Sequence, residues 1–544
     1  MGSLLSIFLA VGVLVLREYG FESGIVAGWA ALPLVLACYV CTAFARAALM
    51  RGRFRAYERW QRLAILAPAA AFAGAVLGLG WVSALEHWLG HKLSFFEWPT
   101  LDVLLCFAPF VLYELAGIDA RARLSSARGP RRAQLRAFQS RMFLATLLPL
   151  CAYTAISAAI GASERLRIEV EEIGLLHAAY AATLLGLLVL CLPFLLRFAL
   201  DTTRVPTGPL RELFESVARA ARFRAREILV WNTGGNMANA AIVGLGARTR
   251  IVLFSDALLA QLDARELAAV FAHEIAHARK HHVPIFVAWV LAFFLGGDLL
   301  ARELFPDNEW LSGALLLGSM VAWFLLFGWL SRRYELEADL YAIELLGDPS
   351  AITSALERVG GSLRDLASWR HFSTARRVEF LERTLREPGL RQRFLARLRL
   401  WSLLGLLLFF VAAAFEGARA FADYGVDRLR ADLRLGEYAA AGKRAQGVAG
   451  LPPELHSLAL RAGSLGHDFA ESAELERRAR AALARDDLRA ALEYLQLAAL
   501  RGDAELGEVA AALSDPAREL SEKLQRAWAP ERARAARLLP LAPQ

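Results

Sequence analysis

Hydrophobic and polar positions along this chain fall into long blocks rather than alternating every few residues. Apolar runs occupy residues 4–16, 25–44, 63–82, 101–118, 142–160 and 175–196, then 283–297, 311–330 and 400–415. About 20 apolar residues are what a helix needs to cross the roughly 30 Å hydrocarbon core of a bilayer. The pattern therefore predicts about nine membrane spans, of which the first, seventh and ninth are short. The first run has neither a basic leading segment nor a small-residue cleavage site, so it reads as a retained helix. Three polar stretches remain, at 201–282, 331–399 and 416–544.

Composition agrees with the pattern. Hydrophobic residues make up 56% of the 544, and the mean hydropathy is +0.38, more apolar surface than a soluble core requires. The net charge of +8 comes largely from arginines in short loops beside the apolar runs. One loop carries Arg46, Arg51, Arg53, Arg55, Arg59 and Arg62 against Glu58, and another carries Arg121, Arg123, Arg128, Arg131, Arg132, Arg136 and Arg141. The alternate loops are acidic, with Glu164, Glu169, Glu171 and Glu172 in one and Glu303, Asp307 and Glu309 in another. That alternation is the positive-inside bias, and it argues against nucleic acid as a partner. It places the N-terminus and the stretches 201–282 and 331–399 in the cytoplasm, and 416–544 outside it. The five cysteines all fall within apolar runs and show no disulfide framework or zinc spacing.

The chemistry is concentrated in the two cytoplasmic stretches. Residues 263–282 read DARELAAVFAHEIAHARKHH. Asp263 with Glu266 forms a capping-box pattern, and Leu267, Val270, Phe271 and Ile275 repeat at helical spacing. On that helix His273 and His277 project from one face, where two neutral imidazoles can hold a zinc ion. Glu274 beside them can act as general base toward water. The second stretch, SRRYELEADLYAIELL from Ser331, offers Glu335 as a third ligand on what reads as a new helix. Asp339, one turn on, is then placed to orient a ligand imidazole through its other ring nitrogen. His281 and His282 read as a polar collar where the seventh span begins.

The pairing of HEIAH with SRRYELEAD resembles the gluzincin family of the HtpX heat-shock protease and the type I CAAX prenyl protease. The resemblance implies a small α+β zincin-like domain holding zinc on His273, His277 and Glu335, with Glu274 catalytic. It extends upstream, where Asn239-Ala240-Ala-Ile-Val-Gly244 is similar to the family's N-A-x-x-x-G edge strand. Such a strand implies substrate binding by main-chain pairing at Asn239, Ala240 and Gly244. Arg332 matches the family's S-R position, as a substrate contact or equally as a cytoplasmic anchor charge. Relatives often close the domain with a His-Pro stretch before an Arg-rich helix. Here STARRVEFLERTL from Ser373 departs from that pattern without touching a ligand.

The expected fold is a polytopic α-helical membrane protein of about nine spans. It would carry this α+β catalytic domain and an all-α C-terminal domain. The expected layout is a six-span domain at 1–200, a protease domain at 201–399 with a membrane hairpin inserted at 283–330, a ninth span at 400–415, and a helical domain at 416–544. Residues 486–503 look like one helix of a tetratricopeptide-type pair, without a repeat of fixed period, and suggest a protein partner. The expected function is a zinc endopeptidase of the bacterial inner membrane, acting on polypeptides of the bilayer at the cytoplasmic face in quality control. A catalytically silent scaffold or sensor, and a prenyl-protein protease, stand as alternatives.

Overall fold

A long apolar segment can satisfy its backbone inside a bilayer only by hydrogen-bonding to itself, and the apolar runs accordingly fold as helices. The computed structural model describes residues 2–500 except 19, 21–26, 95–97, 125–129, 236, 307, 362–364, 366–370, 449, 469–471 and 486. The predicted C-terminal stretch beyond 500, including the end of the 486–503 helix, lies outside the described residues. The N-terminal part contains α1 (Gly2–Glu18), α2 (Leu36–Met50), α3 (Phe54–Ala73), α4 (Trp81–Leu89), α5 (Ala108–Leu124), α6 (Pro130–Gly161), α7 (Glu164–Glu172) and α8 (Gly174–Ala199).

Among the described residues eight helical segments are long and apolar enough to cross a membrane. They are Gly28–Met50, Phe54–Gly78, Leu101–Leu124, Arg132–Gly161, Gly174–Ala199, His282–Leu304, Leu311–Leu346 and Gly389–Arg434. At 17 residues, α1 is not among them. A helix of that length reaches only about 26 Å. The chain divides into two compact units, Met1–Ala158 with Leu184–Ala414, and Ala159–Thr183 with Phe415–Gln544.

In the first unit a four-stranded sheet in the order β1-β2-β4-β3 is built from β1 (Thr202–Arg204), β2 (Glu227–Trp231), β3 (Ala240–Val243) and β4 (Ile251–Ser255). β2 and β4 run parallel, while β1 and β3 are antiparallel to their neighbours, leaving β3 at one edge. Every residue of β4 is buried because both faces of the sheet are covered. Val252 and Phe254 pack with Phe214 of α9 (Pro209–Ala220) and Phe271 of α11 (Ala264–Arg279). Ile251 and Leu253 pack with Phe138 and Met142 of α6 and Leu196 of α8. The short α10 (Asp256–Gln261) links β4 to α11.

α12 (His282–Leu304) and α13 (Glu309–Leu346) form the membrane hairpin. Contrary to the expectation of a new helix after it, α13 runs unbroken for 38 residues through Ser331 to Leu346. Neither Gly nor Pro interrupts the turn at Ser331-Arg332-Arg333, so the change from apolar to charged side chains does not end the backbone ladder. α14 (Pro349–Gly360) and α15 (Thr374–Arg386) follow, and both pack against α13. The ninth apolar run likewise lies inside a longer helix, α16 (Pro388–Arg434).

In the second unit the end of α16 packs with α17 (Tyr438–Gly447), α18 (Pro453–Gly463), α19 (Ser472–Leu483) and α20 (Leu488–Leu500) around Leu429, Leu433 and Tyr438. α17 meets α18, and α19 meets α20, as neighbouring pairs. A Cβ on Gly442 would lie 2.9 Å from the Gly463 Cα, so the first pair closes on two glycines.

Candidate metal centre

α11 is fixed at its start and along its apolar face before any ligand is considered. The Asp263 carboxylate accepts from the Glu266 backbone N–H at 3.0 Å, and the Glu266 carboxylate accepts from the Asp263 N–H at 2.9 Å. Phe271 sits among Phe214, Phe223 and Phe254, with ring centroids 5.4, 6.1 and 5.6 Å away. These contacts set the roll of the helix, and His273 and His277 are carried to one side, their Nε2 atoms 3.3 Å apart.

α13 brings the third group. Glu335 Oε2 lies 3.5 Å from His273 Nε2, and Oε1 lies 3.8 Å from His277 Nε2. Ligands at zinc–nitrogen and zinc–oxygen distances near 2.1 Å in a tetrahedron stand about 3.4 Å apart. The two Nε2 atoms stand about one such edge apart, and Glu335 reaches His273 with one carboxylate oxygen and His277 with the other at slightly longer range. All three groups are buried or half-buried.

The outer nitrogens show which way the inner ones face. His273 Nδ1 is 2.9 Å from Asp339 Oδ1, and the carboxylate holds the proton on that nitrogen, leaving Nε2 as a lone pair. His277 Nδ1 is 2.9 Å from His282 Nδ1, and His282 Nε2 is 3.1 Å from Glu337. With the His282 proton donated to Glu337, its Nδ1 accepts from His277, whose Nε2 also becomes a lone pair. Two lone pairs and a carboxylate then converge on one point, an arrangement that calls for a cation.

The surrounding carboxylates favour positive charge here. Burial disfavours a charged His273, but hydrogen bonds to Asp339 and Glu335 outweigh it and hold its pKa up to about 10. Its Nε2 therefore presents a lone pair only where a cation takes the place of that proton. Burial, with the His273 charge added, lowers His277 to about 3. Glu274 is pushed up to about 7, by burial first and then by the Glu335 charge. A carboxyl poised near neutrality is suited to taking and returning a proton.

Glu274 and the three candidate ligands line a cleft of about 500 Å³ whose opposite wall is Asn239 with β3. Asn239 extends the β3–β4 pairing, since its carbonyl accepts from the Ser255 N–H at 2.9 Å. The far edge of β3 is not paired with another described strand. Gly244 follows that edge at φ +101°, where an added Cβ would lie 2.7 Å from the Thr249 carbonyl oxygen. Its place is in the turn, outside the residues found lining the cleft. Arg332 is also outside them, its guanidinium 5.7 Å from the Phe372 ring.

Three positions were not legible in advance. Arg377 of α15 donates to Asp339 through Nε at 2.9 Å and Nη2 at 2.6 Å, and its Nη1 lies 3.6 Å from Glu335. The STARRVEF helix therefore does reach the ligand cluster, against the expectation from its departure in sequence. His371 Nδ1 is 3.4 Å from Glu335. His282 is 1% exposed and stacks on Tyr334 at 4.2 Å, so it is an interior partner of His277 rather than a surface collar. Its spacing of five residues from His277 was a usable signal, as was Glu337 two residues from Glu335.

Residues 205–385 match the model of Peptidase family M48. This stretch is an M48 domain. The chain is 29% identical over 161 residues to a CAAX prenyl protease 1 homolog of Arabidopsis thaliana, covering 26% of this chain and 38% of that one. It is 28% identical over 144 residues to a protease HtpX homolog of Herminiimonas arsenicoxydans, covering 23% and 48%. With HtpX homolog 1 of Streptomyces coelicolor it shares 33% over 142 residues, covering 23% and 46%. The chain thus spans less than half the length of each of these relatives. The solved structure of S. mikatae Ste24p overlaps 70% of this chain and 98% of its own at 14% identity, with a TM-score of 0.36. The M48 domain contains all the residues of the cluster, from Asn239 just before β3 to Arg377 on α15, and the family implies zinc as the metal.

Proposed function

We propose that the chain is a membrane-integrated zinc endopeptidase that hydrolyses peptide bonds of membrane or membrane-associated proteins at the cytoplasmic face, in a quality-control role. The observation that carries this reading is the convergence of His273, His277 and Glu335 beside Glu274 in a cleft walled by an open strand edge. Zinc held on those three groups supplies Lewis acidity, polarising the scissile carbonyl and acidifying water. The chain's own residues do the rest. β3 pairs with an extended substrate backbone, which aligns the peptide without demanding particular side chains. Glu274 takes a proton from the attacking water and returns it to the leaving amine, a role suited to a carboxyl near pKa 7. Asp339 and His282 keep the two imidazoles in the tautomers that present Nε2. Arg377 neutralises the buried Asp339.

The bacterial inner membrane is the proposed setting, with sidedness read from the arginine-rich loops. Contacts within the second unit support it. Arg428 pairs with Glu169 at 2.8 Å and Arg434 with Glu172 at 2.6 Å, joining the acidic stretch around α7 to the end of α16. Four candidate spans lie between those two segments, α8, α12, α13 and the apolar part of α16. An even number returns the chain to the same side, as these pairs require, whether or not α1 spans.

The test is zinc content and proteolysis in mild detergent. Wild type should hold about one zinc per chain, with a large loss in Glu335→Ala. Glu274→Gln should keep the zinc and lose cleavage of a membrane-protein substrate by about 10² to 10⁴. Zinc indifferent to Glu335 would break the ligand assignment. Cleavage that survives Glu274→Gln would move the scaffold reading to first place.

A further inference from the structure

A second cavity of about 600 Å³ lies between α13, α15 and α16, and its lining is unlike that of the catalytic cleft. Arg333, Arg376, Arg383, Arg393 and Arg397 face it against a single carboxylate, Glu387. None of the five arginines has a carboxylate within 4.0 Å among the described residues, so their charge is available to a ligand. Two are held in position by aromatic rings. The Arg333 guanidinium lies 3.7 Å from the centre of the Trp329 ring and donates to the Trp329 carbonyl at 2.9 Å, and that of Arg376 lies 4.4 Å from the Phe372 ring. Arg376 and Arg377 are adjacent on α15, one facing this cavity and the other the catalytic cluster.

The rest of the lining is apolar, with Leu336, Phe380, Leu390, Phe394 and Leu398. Trp329 and Trp401 close one end, their rings 5.1 Å apart. Both tryptophans stand where an apolar run meets a charged segment, Trp329 beside Arg332 and Arg333, and Trp401 after Arg397 and Arg399. Tryptophan at such a boundary marks the headgroup level of a bilayer. Basic pockets between membrane helices at that level bind anionic headgroups.

A groove below the sheet provides the contrast. It is of similar size, about 670 Å³, and also rich in arginine. There Arg204 is paired with Glu227, and Arg211 and Arg219 with Glu215, while Arg224, Arg226 and Arg248 have no carboxylate within 4.0 Å among the described residues, and no tryptophan lines it. Arginine content alone does not distinguish the two cavities. Unspent charge beside a tryptophan pair does.

We infer that the α13–α15–α16 groove binds an anionic phospholipid, its phosphodiester held by Arg376, Arg383, Arg393 and Arg397 and its upper acyl chain lying toward Trp329 and Trp401. This rests on α13 and α16 crossing a bilayer, but it requires neither zinc nor catalysis. The test uses the full chain in nanodiscs of phosphatidylcholine containing about one part in five phosphatidylglycerol, with bound lipid counted by native mass spectrometry. Wild type and Glu274→Gln should both retain phosphatidylglycerol in preference to phosphatidylcholine. The combined variant Arg376→Gln, Arg383→Gln, Arg393→Gln, Arg397→Gln should weaken that retention at least about tenfold. These four side chains are exposed, so the variant should fold, and unchanged zinc content checks that it has. Arg211→Gln with Arg219→Gln should retain lipid as wild type does. Equal retention in the fourfold variant, or no preference for phosphatidylglycerol in wild type, would overturn the assignment. Displacement by millimolar inorganic phosphate would also overturn it, in favour of a free anion.

Discussion

Two arginine–carboxylate networks in this protein use the same groups in different surroundings. In the M48 domain Arg377 grips Asp339, which is 0% exposed, while His273 binds the same carboxylate. In the second unit Arg434 pairs with Glu171 at 2.8 Å and Glu172 at 2.6 Å, along a face that water partly reaches. Water competes for the second set and is excluded from the first. A buried charge that loses its partner is left with its full desolvation cost, whereas an exposed one is resolvated. The first network should therefore be indispensable and the second merely supportive, although the bond lengths are alike.

The largest expected effect follows from breaking the buried set. Arg377→Met leaves Asp339 charged or forces a proton onto it, and either outcome weakens the grip on His273. Loss of one partner from a buried pair costs about 3–5 kcal/mol. We expect zinc content to fall sharply and thermal unfolding of the full chain to shift down by many degrees. Arg377→Lys should recover little, because an ammonium cannot make the two-pronged contact. If Arg377→Met behaved like a change in the second unit, burial would not be what separates the networks.

A middle effect is expected on the other imidazole. His277 is oriented by His282, with the Glu337 carboxylate behind it, so removing His282 leaves one buried carboxylate without its hydrogen-bond donor but breaks no two-pronged arginine contact. His282→Ala should lower zinc affinity about 10- to 100-fold, the usual scale for a partner one step behind a ligand. His282→Asn keeps an acceptor near the position of Nδ1 and should restore part of that loss. Competition with a chelator of known affinity measures both. Equal zinc affinity in His282→Ala and wild type would show that the ring stack on Tyr334, not the hydrogen bond, is what keeps this residue in place.

This division also explains what could be read from the chain beforehand. The apolar runs, the capping box at Asp263 and the pair His273 and His277 are local patterns, set by periods within one helix, and they were legible. Glu335 could be placed because its stretch follows a hairpin that must return to the same side. Arg377 and Glu337 answer groups that meet them only through tertiary packing. Arg377 lies 38 positions from Asp339, and Glu337 lies 55 from His282. No period in the sequence joins them, and a helix that looked divergent at Ser373 concealed the first. The unbroken course of α13 was missed for a related reason, since side-chain polarity changes at Ser331 while backbone propensity does not.

The smallest expected effect is in the second unit. Arg434→Met removes two ion pairs, but Arg434 is itself about a quarter exposed and Glu171 similarly so, and both can be hydrated once parted. Pairs of this kind contribute roughly 0–1 kcal/mol, screened further by salt. Zinc content should be unchanged, because no residue of the cluster belongs to this unit. What should change is local opening. Backbone amides of α7, Glu164–Glu172, should exchange with deuterium a few-fold faster in the variant, and the difference should shrink at high ionic strength. Glu172 tests the argument most closely, being 7% exposed at its side chain against 24% for Glu171. If Glu172→Gln speeds exchange more than Glu171→Gln does, the gradient of burial that separates the two networks also operates within the weaker one. Equal effects would mean that bond geometry, not access of water, sets the strength of these pairs.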